Sequence, residues 1–207
     1  MIECQTCPVT SLPTIAYNAC RLIFGKDAKF IFQRLDDANN SFLTASNGIQ
    51  LEASWSAPPS AGDGTHVTIT PTLEDVNWPE PDKLESGENL DGAPINVGPG
   101  PQLVTAIIRN PTVAEKVALD AISCEQALTV YRVDNKGNFG CRLIGADHAG
   151  IKVSANTFSV KGPFKDGSGR VDQNKLMIEF YLPADWFNSF AKVVPASGFD
   201  PLNEITP

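Results

Sequence analysis

The sequence predicts a mainly β protein, an antiparallel β-sandwich or half-barrel with one flanking helix, long loops and extended terminal arms. Three observations carry that expectation. Apolar and polar residues alternate in several short runs, notably 128–134 and 151–160, with the period of a half-buried strand. One segment, about 111–127, repeats apolar residues at helical spacing instead. Glycine and proline number 16 each among 207 residues and punctuate the chain throughout, which favours many short strands. The length suits a single domain over 1–207 with a core that is stable without staples.

From the N-terminus, residues 1–20 show little periodicity and read as an arm that would lie on a neighbouring surface. Patches at 22–24 and 30–32 look like strands joined by Gly25, Lys26 and Asp27, and further strand candidates stand at 42–44 and 50–55. A loop rich in proline and glycine at 58–64 precedes a short alternating run, 66–70, with the character of an edge strand before Pro71. Residues 73–101 then form a long acidic excursion with five prolines. It nevertheless carries Trp78, Leu84, Leu90 and Ile95, which a purely solvated loop would not need, so a loop that docks on another subunit is expected.

The sheet resumes at 103–108. Asn110 as N-cap and Pro111 at the first helical position then mark a helix start. Val113, Val117, Ala121, Cys124 and Leu128, widened by Ala118 and Ile122, predict its buried stripe; Glu115, Lys116, Asp120 and Glu125 predict its wet face. Strand 128–134, a turn at 135–138 and strand 139–144 make a hairpin, which 151–160 extends to a three-stranded meander carrying the helix. A second long loop at 161–174 leads to a central strand at 175–182, and 184–207 reads as a helical turn and a tail.

No stretch looks like a catalytic apparatus. Cys4 and Cys7 have the spacing of a metal knuckle and Cys20 follows, but no suitable fourth ligand appears, so no metal is expected. Cys124 and Cys141 read as small core residues. Asp147 and His148 lack a nucleophile elbow and an oxyanion hole. Gly98-Pro99-Gly100 cannot cradle phosphate, because proline removes the N–H groups required, and 166–169 lacks the ligand pattern of a calcium loop. The expectation is a non-enzyme with no catalytic, cofactor-binding or metal residues.

A net charge of -8 argues against a surface that grips nucleic acid, while suiting a conduit through which DNA must slide. Five cysteines, an odd number without a signal peptide, fit reduced thiols in a cytoplasm. No run approaches the roughly 18 apolar residues of a membrane span.

The succession of Leu51 to Trp55, a glycine- and proline-rich loop, 67–71, a long proline-broken excursion, 103–108, one helix, and 128–133 resembles the tail tube proteins of tailed bacteriophages. That resemblance covers about 130 of the 207 residues and rests on element order. It implies six copies joined sheet to sheet into a ring, rings stacked through arms and long loops, other tail proteins as partners, and a place in the virion tail after synthesis in the host cytoplasm. Trp78, Leu84, Leu90, Ile95, Phe164 and Trp186 are the expected subunit-interface residues. The competing readings are another virion ring or connector protein, and a carbohydrate-binding sandwich that stacks sugars on Trp55, Trp78 and Trp186.

Overall fold

The computed structural model describes residues 24–35, 48–56, 66–79, 83–88, 94–145, 147–166 and 173–206; for 83–88, 94–98, 147, 164–166 and 173 it describes the backbone alone. Cys4, Cys7, Cys20, Leu90, the strand expected at 42–44 and the loop at 58–64 lie outside those residues.

In chain order the strands are β1 (Asp27–Arg34), β2 (Val67–Ile69), β3 (Asp75–Asn77), β4 (Lys83–Glu88), β5 (Pro94–Pro99), β6 (Gln102–Arg109), β7 (Leu128–Asp134), β8 (Phe139–Ile144), β9 (Asp147–Ala149), β10 (Ile151–Lys152), β11 (Ser159–Asp166), β12 (Gln173–Leu182) and β13 (Phe190–Val193). Helix α1 (Val113–Ile122) joins β6 to β7, and the short α2 (Pro201–Glu204) follows β13. Every strand pair is antiparallel. One sheet runs β13-β8-β7-β1-β2, with β9 beside β8 and β10 beside β7; a second runs β11-β12-β6-β3; β4 and β5 form a separate two-stranded ribbon.

The alternation in the sequence becomes layering. Phe30 and Phe32 of β1 and Leu128 and Val130 of β7 face Val104, Ala106 and Ile108 of β6 and Leu176, Ile178, Phe180 and Leu182 of β12, making the core between the sheets. The intervening Ile31, Tyr131, Val133, Phe139 and Cys141 face the other way, onto Ile49, Trp55, Phe199 and Ile205. Burial raises the Cys141 thiol to about 12, leaving it a small apolar residue as expected. The first sheet is therefore the middle layer, covered outside by 48–56 and the C-terminal segment.

Several expectations need correction. Residues 50–55 are not a strand but part of two 3-10 turns, Gly48–Gln50 and Glu52–Ser54, because Trp55 folds back to donate from Nε1 to the Ile49 carbonyl at 3.1 Å. Phe24 lies outside any strand. The third strand of the meander is not 151–160 but β9, which pairs with β8; 151–160 breaks at 153–158, so β10 pairs with β7 while β11 crosses to β12 in the other sheet. Asn156 takes a left-handed φ of 57° at that break.

The C-terminal segment is not a loose arm. β13 pairs with β8, Phe199 and Ile205 enter the core, and the Lys29 ammonium donates to the carbonyls of Leu202 and, at 2.9 Å, Ile205. Nor is 73–101 a structureless loop, since it contains β3, β4 and β5.

Helix α1 starts later than expected and turns a different face inward. Thr112 is the N-cap, and a capping box forms with Glu115: the Thr112 hydroxyl accepts from the Glu115 N–H at 3.2 Å, and the Glu115 carboxylate accepts from the Thr112 N–H at 2.6 Å. Asn110 instead adopts a left-handed φ of 49°. Leu119 and Ile122 are the buried helix residues, whereas Val113 and Val117 are 82% and 61% exposed and Ala118, Ala121 and Cys124 are exposed as well. Both sides of this helix are apolar, so spacing alone does not set its rotation; the larger Leu and Ile side chains win the core.

Candidate functional site

Joining the end of β6 to the start of β7, α1 closes one open end of the sandwich. At the other end, where β6 begins and β12 finishes, stands a cluster built around Arg132 and Asp27. Arg132 continues the inward face of β7 beyond Leu128 and Val130, opposite Phe30 of β1. A bulge between Asp27 and Lys29 reverses the side-chain alternation, so that Asp27 meets Arg132 while Lys29 points toward the C-terminal segment.

Arg132 donates from Nε and Nη2 to the two Asp27 carboxylate oxygens at 2.8 and 2.9 Å, and the Trp78 indole N–H donates to Asp27 at 2.8 Å. The two side chains are 11% and 2% exposed, so the pair is desolvated and its geometry bidentate. Aromatic rings sheathe the guanidinium: its central carbon lies 4.0 Å from the Trp78 ring centroid, 4.7 Å from Phe24, 5.5 Å from Phe190 and 5.9 Å from Trp186. Gly140 makes room for this sleeve, because a Cβ there would come within 3.0 Å of both the Phe24 and Phe190 rings.

Gln102 ties the cluster to the β4–β5 ribbon. Its side-chain oxygen accepts from the Trp186 indole N–H at 2.8 Å, and its amide donates to the Pro79 carbonyl at 3.0 Å. Pro79 is where the chain leaves for the ribbon and Gln102 is where it returns. On the outside, Phe187 stacks on Phe190 at 5.8 Å between centroids and remains 62% exposed.

In this arrangement the carboxylate and guanidinium bind each other and both indole N–H groups are already engaged. Among the described residues no group of three or more His, Cys, Asp or Glu side chains could hold a metal ion. What the cluster presents outward is apolar ring surface.

Of the expected interface residues, Trp78 and Trp186 come together, with ring centroids 5.4 Å apart. Both find partners on their own chain, so their indoles do not need another copy for burial. Leu84, Ile95 and Phe164 lie on β4, β5 and β11, with their side chains outside the description. Trp55 is 3% exposed and stacked on Phe139 at 5.2 Å, so it cannot serve a sugar, and one face of Trp78 is occupied by Arg132. Sequence reading passed over Arg132, Asp27, Gln102 and Phe187. One signal was present: the face of β7 that begins Leu128, Val130 ends Arg132, Asp134, which is unusual for a strand side entering a core.

The described residues thus form an antiparallel sandwich, a separate two-stranded ribbon, and a cluster of paired side chains where the chain leaves for that ribbon. A scan of protein-family models and a search of curated proteins return no match to the chain. No described helix is long and apolar enough to cross a membrane.

Proposed function

We propose that this chain is a structural subunit that assembles with copies of itself, a tail tube protein or a closely related ring component of a virion, building rings that stack into a conduit for DNA. The observation that carries this reading is the β4–β5 ribbon. Among the described residues it pairs with no strand of either sheet, and a two-stranded ribbon is marginal in water by itself. Its register shifts twice, and Pro94 and Pro99 of β5 have no N–H to give, so it is weaker still than a regular hairpin. Such an element gains its stability by docking, and at about 3.3 Å per residue the six residues of β4 reach about 20 Å, far enough to lie on a neighbour.

The sheet edges refine how copies join. β2, β3 and β13 are three or four residues long, too short to template a partner strand well. β11, with eight residues, is the described edge strand long enough for lateral pairing, and a register shift between Lys161 and Phe164 limits even that. Stacking through the ribbon therefore contributes more than strand pairing.

Negative-stain microscopy of concentrated protein is expected to show rings or tubes, and deletion of residues 84–95 is expected to leave the sandwich folded while abolishing stacking. A strictly monomeric sedimentation profile at high concentration overturns the reading.

A further inference from the structure

Residues 199–205 hold their own shape. Asp200 caps the turn α2, accepting from the Leu202 N–H at 3.0 Å and the Asn203 side-chain amide at 2.6 Å, while the Glu204 carboxylate accepts from the Asp200 N–H at 3.1 Å. Pro201 stands at the start of the turn, where its missing N–H would be unpaired anyway. Toward the body this segment shows Phe199, Pro201 and Ile205, all buried; toward solvent it shows Asn203 and Glu204. The receiving surface is the outer face of the first sheet. There Phe139 lies 6.1 Å from Phe199 between ring centroids, and Pro201 lies over Gly137, where an added Cβ would stand 3.4 Å from its Cδ. The Lys29 ammonium donates to the Leu202 and Ile205 carbonyls. We propose that this face is a peptide-recognition groove and that residues 199–205 are its exchangeable ligand, so that the segment of a second copy occupies it through the same contacts.

The segment behaves as a ligand first because the bonds that fold it are its own. It arrives preformed and loses little further freedom on seating. Its polar contact with the body is, moreover, one that water can replace. Burial lowers the Lys29 pKa from its ordinary 10.5, against the charge of Asp200, which raises it, so the seated ammonium is less well solvated than a free one. Opening returns it to water, which offsets the two hydrogen bonds lost. The linker, finally, is open. Val193 and Phe199 are buried, but none of the five residues 194–198 between them is, and Val194 is 61% exposed. A backbone bond from the Ala196 N–H to the Gln50 carbonyl at 3.0 Å steadies it. A tight turn, closed by the Phe199 N–H on the Ala196 carbonyl with Gly198 at a φ of 93°, folds the segment back onto its own groove. Extended, residues 194–198 would span about 17 Å. Exchange between copies keeps the contacts within the groove and alters the linker, which is why a second copy, carrying the identical segment, is the occupant.

The double variant Phe199→Ser, Ile205→Ser empties the groove in the full chain. A labelled synthetic peptide of residues 197–206 should then bind it saturably in fluorescence anisotropy, and the same peptide carrying Phe199→Ser should bind about tenfold more weakly or worse. Absence of binding to the folded variant overturns the groove. A second variant leaves groove and segment intact: Gly198→Val places a β-branched residue at a φ of 93°, which strains the turn and opens the linker. Compared with the unmodified chain at the same concentration, it should show an additional two-copy species in sedimentation velocity, which excess unlabelled peptide of residues 197–206 displaces. If no such species forms, or if the peptide leaves it unchanged, a second copy is not the occupant. Should circular dichroism show the double variant to be unfolded, the Gly198→Val result and its peptide displacement decide the groove as well. Assembly through the β4–β5 ribbon would not respond to this peptide, so failure here leaves the ring-forming reading untouched.

Discussion

At the α1 end the gap between the sheets is filled by two aliphatic side chains, Leu119 and Ile122, whereas at the Gln102 end it is filled by a bidentate ion pair inside a sleeve of four aromatic rings. Both plugs exclude water, but they fail differently. An aliphatic plug loses contacts in proportion to what is cut away. An ionic plug is all or nothing, because removing one partner strands a charge in a medium that cannot solvate it. The helix end is tolerant of change; the aromatic end fixes one arrangement of its rings and of the ribbon root they surround.

The sharpest way to break this comparison is Arg132→Ala, which leaves the Asp27 carboxylate buried with the Trp78 N–H as its remaining donor. A loss of about 3–5 kcal/mol is expected in urea unfolding, and replacing both partners by leucine should restore more than half of it. A cost of about 1 kcal/mol or less for Arg132→Ala would remove the distinction between the two ends. Leu119→Ala should cost somewhat less, about 2–4 kcal/mol, read from the same unfolding midpoint.

A second buried carboxylate at the ionic end makes that end sensitive to acid. Burial by itself would raise the Asp134 pKa above its ordinary 3.8, but the Asn138 side-chain amide and the backbone N–H groups of Gly25, Asn138 and Lys136 together outweigh burial and hold it lower. The folded protein thus takes up this proton only at a lower pH than the unfolded chain does. The resulting stabilisation is complete above about pH 4 and is lost as pH falls through the folded-state pKa. Asp134→Asn should cost about 2 kcal/mol at neutral pH and flatten the acid limb of a stability-against-pH curve; an unchanged acid limb would show that other carboxylates set it. The smallest effect belongs to the helix end, where Thr112→Ala should remove about 1 kcal/mol through loss of the capping box, measured by thermal unfolding.

Much of the sheet structure was legible in the sequence because the sheets alternate cleanly. β6, β7, β8 and β12 fall where the apolar runs stand, and Asn135 to Asn138 turn between β7 and β8 as expected. β2 is an edge strand for the reason its short run before Pro71 suggested. The rest was hidden by particular competitions. The stripe rightly included Ile122, but the rotation of α1 depended on whether Val113 and Val117 or Leu119 joined it in the core, and periodicity does not decide between these. The run 151–160 alternates throughout, yet it serves two sheets, because Val153 and Phe158 enter the shared core from the connection between them. The aromatic cluster gathers residues from five separate stretches between Phe24 and Phe190, a juxtaposition that no local pattern records.

The Gln102 side chain grips the Trp186 indole with one hand and the Pro79 carbonyl with the other, so Trp186 braces the root of the ribbon through a residue 84 positions upstream. Trimming the chain before Trp186 would leave the strands of the ribbon covalently untouched and yet remove one brace from their root, leaving Trp78 held by Asp27 and Arg132.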